Sequence, residues 1–225
     1  AGYLLAYVNV LQQQWLWEEG FAFERETTFT PAAIPGAECY RTVAELDAQL
    51  ASWTSTYPTL TQAVEIGQSY EGRPLTVLQL TNQTFTGEKP LFFLMANVHG
   101  RELITNEVAA QFIEMLLARY GDDPDVTWLL DEHEIAVLLS ANPDGHVKNE
   151  GGVPWTWWRK NTQPYGTCDA LDQGVDLNRN FPFGWGGAGA STDPCRDTYR
   201  GPSAASESVT QAVMDDVEDC GYLKL

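Results

Sequence analysis

Leu91-Phe92-Phe93-Leu94-Met95-Ala96-Asn97-Val98 runs directly into His99-Gly100-Arg101-Glu102. The first eight residues are almost wholly apolar, as in a strand covered on both faces of a mainly parallel sheet. In open sheets of that class, ligands gather beyond the carboxyl ends of the strands, where this histidine falls. Glu102, three residues on and entering a helix, can aim its carboxylate at the same ion as the His99 imidazole. Such a nitrogen–oxygen pair suits zinc. The same four residues also read as a surface histidine beside a glutamate that satisfies a helix N-terminus. Taken alone, the motif leaves both readings open.

Working outward, Val108, Phe112, Met115 and Leu116 share one face of a helix that Gly121 stops. Ile135–Leu139 is another apolar run, ended by Asn142-Pro143-Asp144-Gly145. Upstream, Val43, Leu46 and Leu50 recur at helical spacing between Thr42 and Trp53, ahead of Pro58. Leu75–Leu80 is strand-like and follows the turn signal Glu71-Gly72-Arg73-Pro74. This alternation predicts an α/β fold: a mixed, mostly parallel central sheet with helices on both faces. Residues 145–202, rich in glycine, tryptophan, proline and asparagine, show little periodicity and read as a functional loop region. A last helix is expected from Ser203 or Ser206, with Val209, Val213 and Val217 on one face and Gly221 after it. Tyr222–Leu225 reads as the start of a strand. Residues 1–37, aromatic and ending in Pro31, Pro35 and Gly36, read as an N-terminal arm or pro-region remnant ahead of a domain spanning 38–225.

The net charge of −18 repels phosphate backbones and anionic membrane surfaces, so neither nucleic acid nor a membrane is an expected partner. No apolar run is long enough to cross a bilayer. The apolar stretch Tyr3–Val10 lacks the basic segment of a signal peptide, and a start at Ala1 suggests that something has been removed from the front. Cys39, Cys168, Cys195 and Cys220 form no Cys-x-x-Cys pair, which argues against a thiolate zinc site. Their even number points weakly to an oxidising compartment.

From about Tyr40 onward several motifs follow one another. They are His99-Gly100-Arg101-Glu102, Asn142-Pro143-Asp144-Gly145, Trp158-Arg159-Lys160-Asn161 and Gly174-Val175-Asp176-Leu177-Asn178-Arg179-Asn180-Phe181, then Thr198-Tyr199-Arg200-Gly201-Pro202 and Ser206-Glu207. In this order they resemble the pancreatic-type zinc carboxypeptidases. The resemblance implies one zinc ion held by His99 and Glu102, with Arg159 polarising the scissile carbonyl and stabilising the oxyanion. It implies that Asn178 and Arg179 grip the substrate's terminal carboxylate, that Arg101 lines a neighbouring subsite, and that Asp176 accepts from the second nitrogen of His99. A Cys168–Cys195 disulfide is implied in the same way, as is secretion. His133 and His146 match no ligand position of the family, and Cys39 and Cys220 carry no pairing argument.

The resemblance places the family's third zinc ligand, a histidine, on the strand that begins near Leu225, and its catalytic glutamate and closing tyrosine further on. The chain is therefore expected to be the N-terminal two-thirds of a catalytic domain, its C-terminal part missing, and inactive alone. A missing C-terminal segment would then be a partner. The implied substrate is the C-terminus of a peptide or protein. Two other functions fit parts of the pattern: a non-catalytic domain that binds peptide C-termini, and a zinc deacylase of acyl amino acids.

Overall fold

The computed structural model describes residues 39–85, 87–150, 157–169 and 172–219. The expected N-terminal arm, Cys220, the helix stop at Gly221 and the strand start at Tyr222–Leu225 lie outside the described residues.

Helix α1 (Val43–Thr56) opens with a capping box. The Thr42 hydroxyl accepts from the Glu45 backbone N–H, and the Glu45 carboxylate accepts from the Thr42 N–H, so two of the amides orphaned at the helix start are satisfied. Its buried stripe is Val43, Leu46, Leu50 and Trp53. Strands β1 (Thr61–Gln68) and β2 (Pro74–Leu80) form an antiparallel hairpin closed by the Ser69 N–H on the Arg73 carbonyl at 2.8 Å. β1 escaped the sequence reading because its alternation is weak, with Gly67 at a register shift.

Strand β3 (Leu91–Met95) leads to helix α2 (Ile104–Arg119), helix α3 (Pro124–Glu132) and strand β4 (Glu134–Leu138). The α3 helix, also unforeseen, carries a readable signal. Asp123 caps it through the Asp125 and Val126 amides, and Pro124 occupies the first turn.

The sheet order is β1-β2-β4-β3. Only β3 and β4 are parallel, while β2 runs antiparallel to both β1 and β4. The α/β class and the mixed sheet hold, but among the described strands parallel pairing is the minority. The tight hairpin at 69–73 can join only antiparallel neighbours, which accounts for the β1–β2 pair, while β2 and β4 are antiparallel through a long-range pairing.

The central strands β2 and β4 feed two cores. On one face Leu78, Leu80, Ile135 and Val137 pack against α1, α2 and α3. On the other, Leu75, Val77, Ala136 and Leu138 meet Leu177 and helix α5 (Ser208–Asp219) through Val209, Ala212 and Val213. Helices therefore cover both faces, as expected. Each leucine fully buried there contributes roughly 1.5–3 kcal/mol.

Four expectations are corrected. β3 is shorter and less covered than the run Leu91–Val98 implies. The chain leaves the strand after Met95 because Asn97 takes a left-handed φ of 53°, and Phe92 is 55% exposed because β3 has one described neighbour. In α2 the buried face is Ala109, Ala110, Ile113, Leu116 and Leu117. Val108 is 62% exposed, since the sheet meets the stripe one position further round. Helix α5 starts at Ser208, not at Ser203 or Ser206. The first helical bond runs from the Gln211 N–H to the Glu207 carbonyl, and the Ser206 hydroxyl is spent on the Glu207 carboxylate. The region 145–202 also begins with order, since helix α4 (Pro143–Glu150) uses Pro143 as a helix start; from 157 to 202 a single 3-10 turn, Leu177–Arg179, interrupts the described loop.

Candidate active site

His99 follows β3 in a turn that two neighbours shape. Asn97, 1% exposed, donates through its side-chain amide to the His99 carbonyl at 3.2 Å and accepts from the Ser140 hydroxyl at 3.1 Å. The Glu102 N–H closes onto the His99 carbonyl at 2.9 Å, so Glu102 sits in this turn, two residues ahead of α2. The turn brings His99 Nδ1 to 2.9 Å from Glu102 Oε1.

The other imidazole nitrogen, Nε2, lies 3.2 Å from Asp176 Oδ1. Asp176 is fully buried and also accepts from Arg159 Nη2 at 2.9 Å, Arg159 Nε at 3.3 Å and the Asn178 backbone at 3.0 Å. Burial alone pushes the Asp176 carboxyl up, but the His99 and Arg159 hydrogen bonds and the positive charge of Arg159 outweigh it and hold it below its ordinary range. Arg159 Nη1 then stands 4.0 Å from Glu102 Oε1. His99, Glu102, Asp176 and Arg159 thus form one connected group, drawn from three separate segments.

Asn178 and Arg179 occupy the 3-10 turn immediately after Asp176, which caps that turn. Asn178 is exposed; Arg179 is partly buried, its guanidinium donating to the Asn178 carbonyl at 2.9 Å and the Gly189 carbonyl at 3.4 Å. Arg101 does not join the group: its guanidinium pairs at 3.4 Å with Asp197, which is itself exposed. His146 is fully buried on α4, with Nε2 at 3.0 Å from the Arg41 carbonyl, and His133 packs edge-on against Trp128.

The loop behind the site is fastened twice. Cys168 and Cys195 are joined in a disulfide. Lys160, 3% exposed, donates its ammonium to the carbonyls of Asp172, Pro194 and Arg196, and burial pushes its pKa down. Asn161 exchanges backbone and side-chain bonds with Val175 and donates to the buried Glu207 carboxylate. The disulfide is the one the resemblance implies, whereas the supporting roles of Lys160 and Asn161 are not legible in the sequence. Their partners are distant in the chain, and only the polar Asn97 at the end of an apolar run hinted at them.

The donor set fits a cation. If Nε2–H donates to the acceptor-only Asp176 carboxylate, Nδ1 turns a lone pair toward Glu102, and two acceptors 2.9 Å apart need a positive species between them. Zinc suits one nitrogen and one oxygen donor. Among the described residues, no group of three or more His, Cys, Asp or Glu side chains is placed to hold a metal.

A zinc carboxypeptidase family profile matches residues 46–224. Carboxypeptidase A2 of Mus musculus is 34% identical over 201 residues, covering 89% of this chain and 45% of that protein. Carboxypeptidase A1 of Bos taurus is 35% identical over 189 residues, covering 82% and 43%. Among solved structures, thrombin activatable fibrinolysis inhibitor superposes with a TM-score of 0.74 at 29% identity, over 80% of this chain and 44% of that one. Carboxypeptidase A from Helicoverpa armigera gives 0.71 at 32% identity, over 80% and 42%. The chain spans less than half the length of the curated relatives it matches.

Proposed function

Because the chain belongs to the zinc carboxypeptidase family, we propose that it carries part of an active site that hydrolyses the last peptide bond of peptides and proteins. The observation that carries this reading is the convergence of His99 Nδ1 and Glu102 Oε1, backed by Asp176 and Arg159. His99 and Glu102 would hold zinc as two of the three protein ligands that a catalytic site of this kind uses. Zinc, when bound, supplies a Lewis acid that lowers the pKa of coordinated water.

The chain's own residues do the rest of the positioning. With Nε2–H donated to Asp176, His99 would present Nδ1 as the ligand atom. The same carboxylate fixes one edge of the Arg159 guanidinium, leaving Nη1 on the Glu102 side. A guanidinium held in this way is preorganised for the negative oxygen that develops as the carbonyl is attacked. Asn178 and Arg179, on the turn that Asp176 caps, would bind the terminal carboxylate and so restrict cleavage to chain ends. Arg101, paired with the exposed Asp197, would line a neighbouring substrate subsite. The disulfide favours a secreted protein, and no helix among the described residues is long and apolar enough to cross a membrane.

The test compares one peptide with a free and an amidated C-terminus, with and without a zinc chelator, using the intact protein. Release of a single residue from the free form only, abolished by chelation and restored by zinc, is the expected outcome. Binding of the free peptide without turnover would instead support a peptide-binding domain. Preferential cleavage of an acyl amino acid would support a deacylase.

A further inference from the structure

The His99–Glu102 turn and the Arg159 segment come from different parts of the chain, and their separation decides whether Arg159 can reach a carbonyl held beside His99. We infer that Asn142 sets this separation and is a positioning residue for the proposed reaction. Its side chain is 1% exposed and lies where three segments meet. The amide nitrogen Nδ2 is 3.3 Å from the Val98 carbonyl, 3.3 Å from the Arg159 carbonyl and 3.0 Å from the Lys160 carbonyl. Its Oδ1 accepts from the Gly145 N–H at 2.9 Å. Val98 precedes His99, so one amide group holds the peptide that leads into the imidazole and the two peptides that follow Arg159.

Two further contacts lock the same junction. The Gly100 N–H donates to the Arg159 carbonyl at 3.0 Å. Gly100 also lies so close to Gly145 that a Cβ added to it would fall 2.4 Å from the Gly145 carbonyl carbon. The backbones therefore touch, and side-chain bulk cannot set their spacing. An amide is the side chain the place calls for. It offers N–H donors to the clustered carbonyls and an acceptor to Gly145, carries no charge, and is the right length to span them. A carboxylate would set negative charge against three carbonyl oxygens, and a serine would fall short of them.

The catalytic half of this inference rests on the peptidase reading above; the geometric half does not. The test uses Asn142→Ser in the intact protein, with kcat, KM and bound zinc measured beside hydrogen exchange of the Gly100 amide. Expected is a fall in kcat of about 10²-fold, the effect of misplacing a reacting group by about 1 Å. KM and zinc content should change little, because Asn178 and Arg179 stand on a turn held by Asp176 and the Tyr199 carbonyl. Exchange at Gly100 should accelerate more than exchange at Ala110 in the core of α2. A lower melting temperature with kcat and the Gly100-to-Ala110 exchange ratio unchanged would overturn the inference and leave Asn142 a stability residue. If the variant fails to fold, the wild type decides. A Gly100 amide exchanging as freely as an exposed loop amide would overturn the bracket by itself. Should the wild type cleave no peptide while Asn142→Ser still releases Gly100, the peptidase reading falls and the bracket stands.

Discussion

Replacing Asp176 with asparagine isolates the electrostatic centre of the site. In the native protein the buried carboxylate receives both Nε and Nη2 of Arg159 on one oxygen, and His99 with the Asn178 amide on the other. Asparagine can keep Oδ1 for His99 and Asn178, but it then turns an NH2 toward two guanidinium donors. The Arg159 side chain is only 14% exposed, so water replaces little of the lost partner. Hydrogen bonds to charged groups contribute about 1.5–3 kcal/mol each, and removing one member of a buried pair costs about 3–5 kcal/mol. For a domain of this size that lowers the melting temperature by roughly 6–20 °C. Thermal unfolding followed by circular dichroism measures it, and Arg159→Met added to Asp176→Asn completes a double-mutant cycle. If the unpaired guanidinium is the cause, the double variant melts higher than Asp176→Asn alone. A cost for Asp176→Asn below about 1 kcal/mol, or no recovery on removing Arg159, would refute the reasoning.

Burial pushes His146 down to about 4, against the one hydrogen bond from its ring to the Arg41 carbonyl. The unfolded chain therefore takes up this proton first as pH falls. The contribution is intact above about 6.5 and declines toward pH 4 by about 3 kcal/mol. His146→Gln should flatten urea-midpoint loss across that window, and parallel curves for the two proteins would contradict the assignment. Lys160→Met removes the ammonium that the Asp172, Pro194 and Arg196 carbonyls share, an expected loss of about 1.5–3 kcal/mol by urea unfolding; a loss under about 0.5 kcal/mol would show the ammonium to be dispensable. Arg159→Lys keeps the charge but not the fork that straddles Asp176, so kcat for a free C-terminal peptide should fall about 10²–10³-fold. An unchanged kcat would remove Arg159 from the proposed mechanism.

What the sequence made legible was local. The apolar runs within Leu75–Leu80, Leu91–Met95 and Ile135–Leu138 mark strands because short stretches dominated by leucine, valine, isoleucine and phenylalanine between turn signals suit a pleated sheet, although only Ile135–Leu138 is both free of polar residues and buried throughout. The three-residue spacing implied that His99 and Glu102 could face one ion, with Glu102 entering the helix; in the structure both sit in one turn two residues ahead of it. Strand direction was less visible, since β2 and β4 become antiparallel through a pairing that no local pattern encodes. The phase of α2 was misjudged because Val108 and Ala109 are both apolar, and only the sheet decides which of them is covered. Least legible was the frame of buried amides. Asn97, Asn142, Asn149 and Asn161 are each 3% exposed or less, yet an asparagine in a sequence reads first as a turn residue. For Asn97 and Asn161 the decisive partners, Ser140 and Glu207, lie more than forty residues away, and Asn142 reaches back to Val98 and on to Lys160.

The double fastening of the loop behind the site also bears on its fate under digestion. A protease that severs the backbone between Cys168 and Cys195 produces two polypeptides still tied covalently at the bridge. The severed stretch remains seated through Lys160 on Asp172, Pro194 and Arg196, and through the Asp176 amide on Tyr199. On a gel such a nicked protein would migrate as one species until a reductant is added, then as two. The loop can thus gain chain ends, or an inserted sequence between them, while the residues on either side of it keep their places.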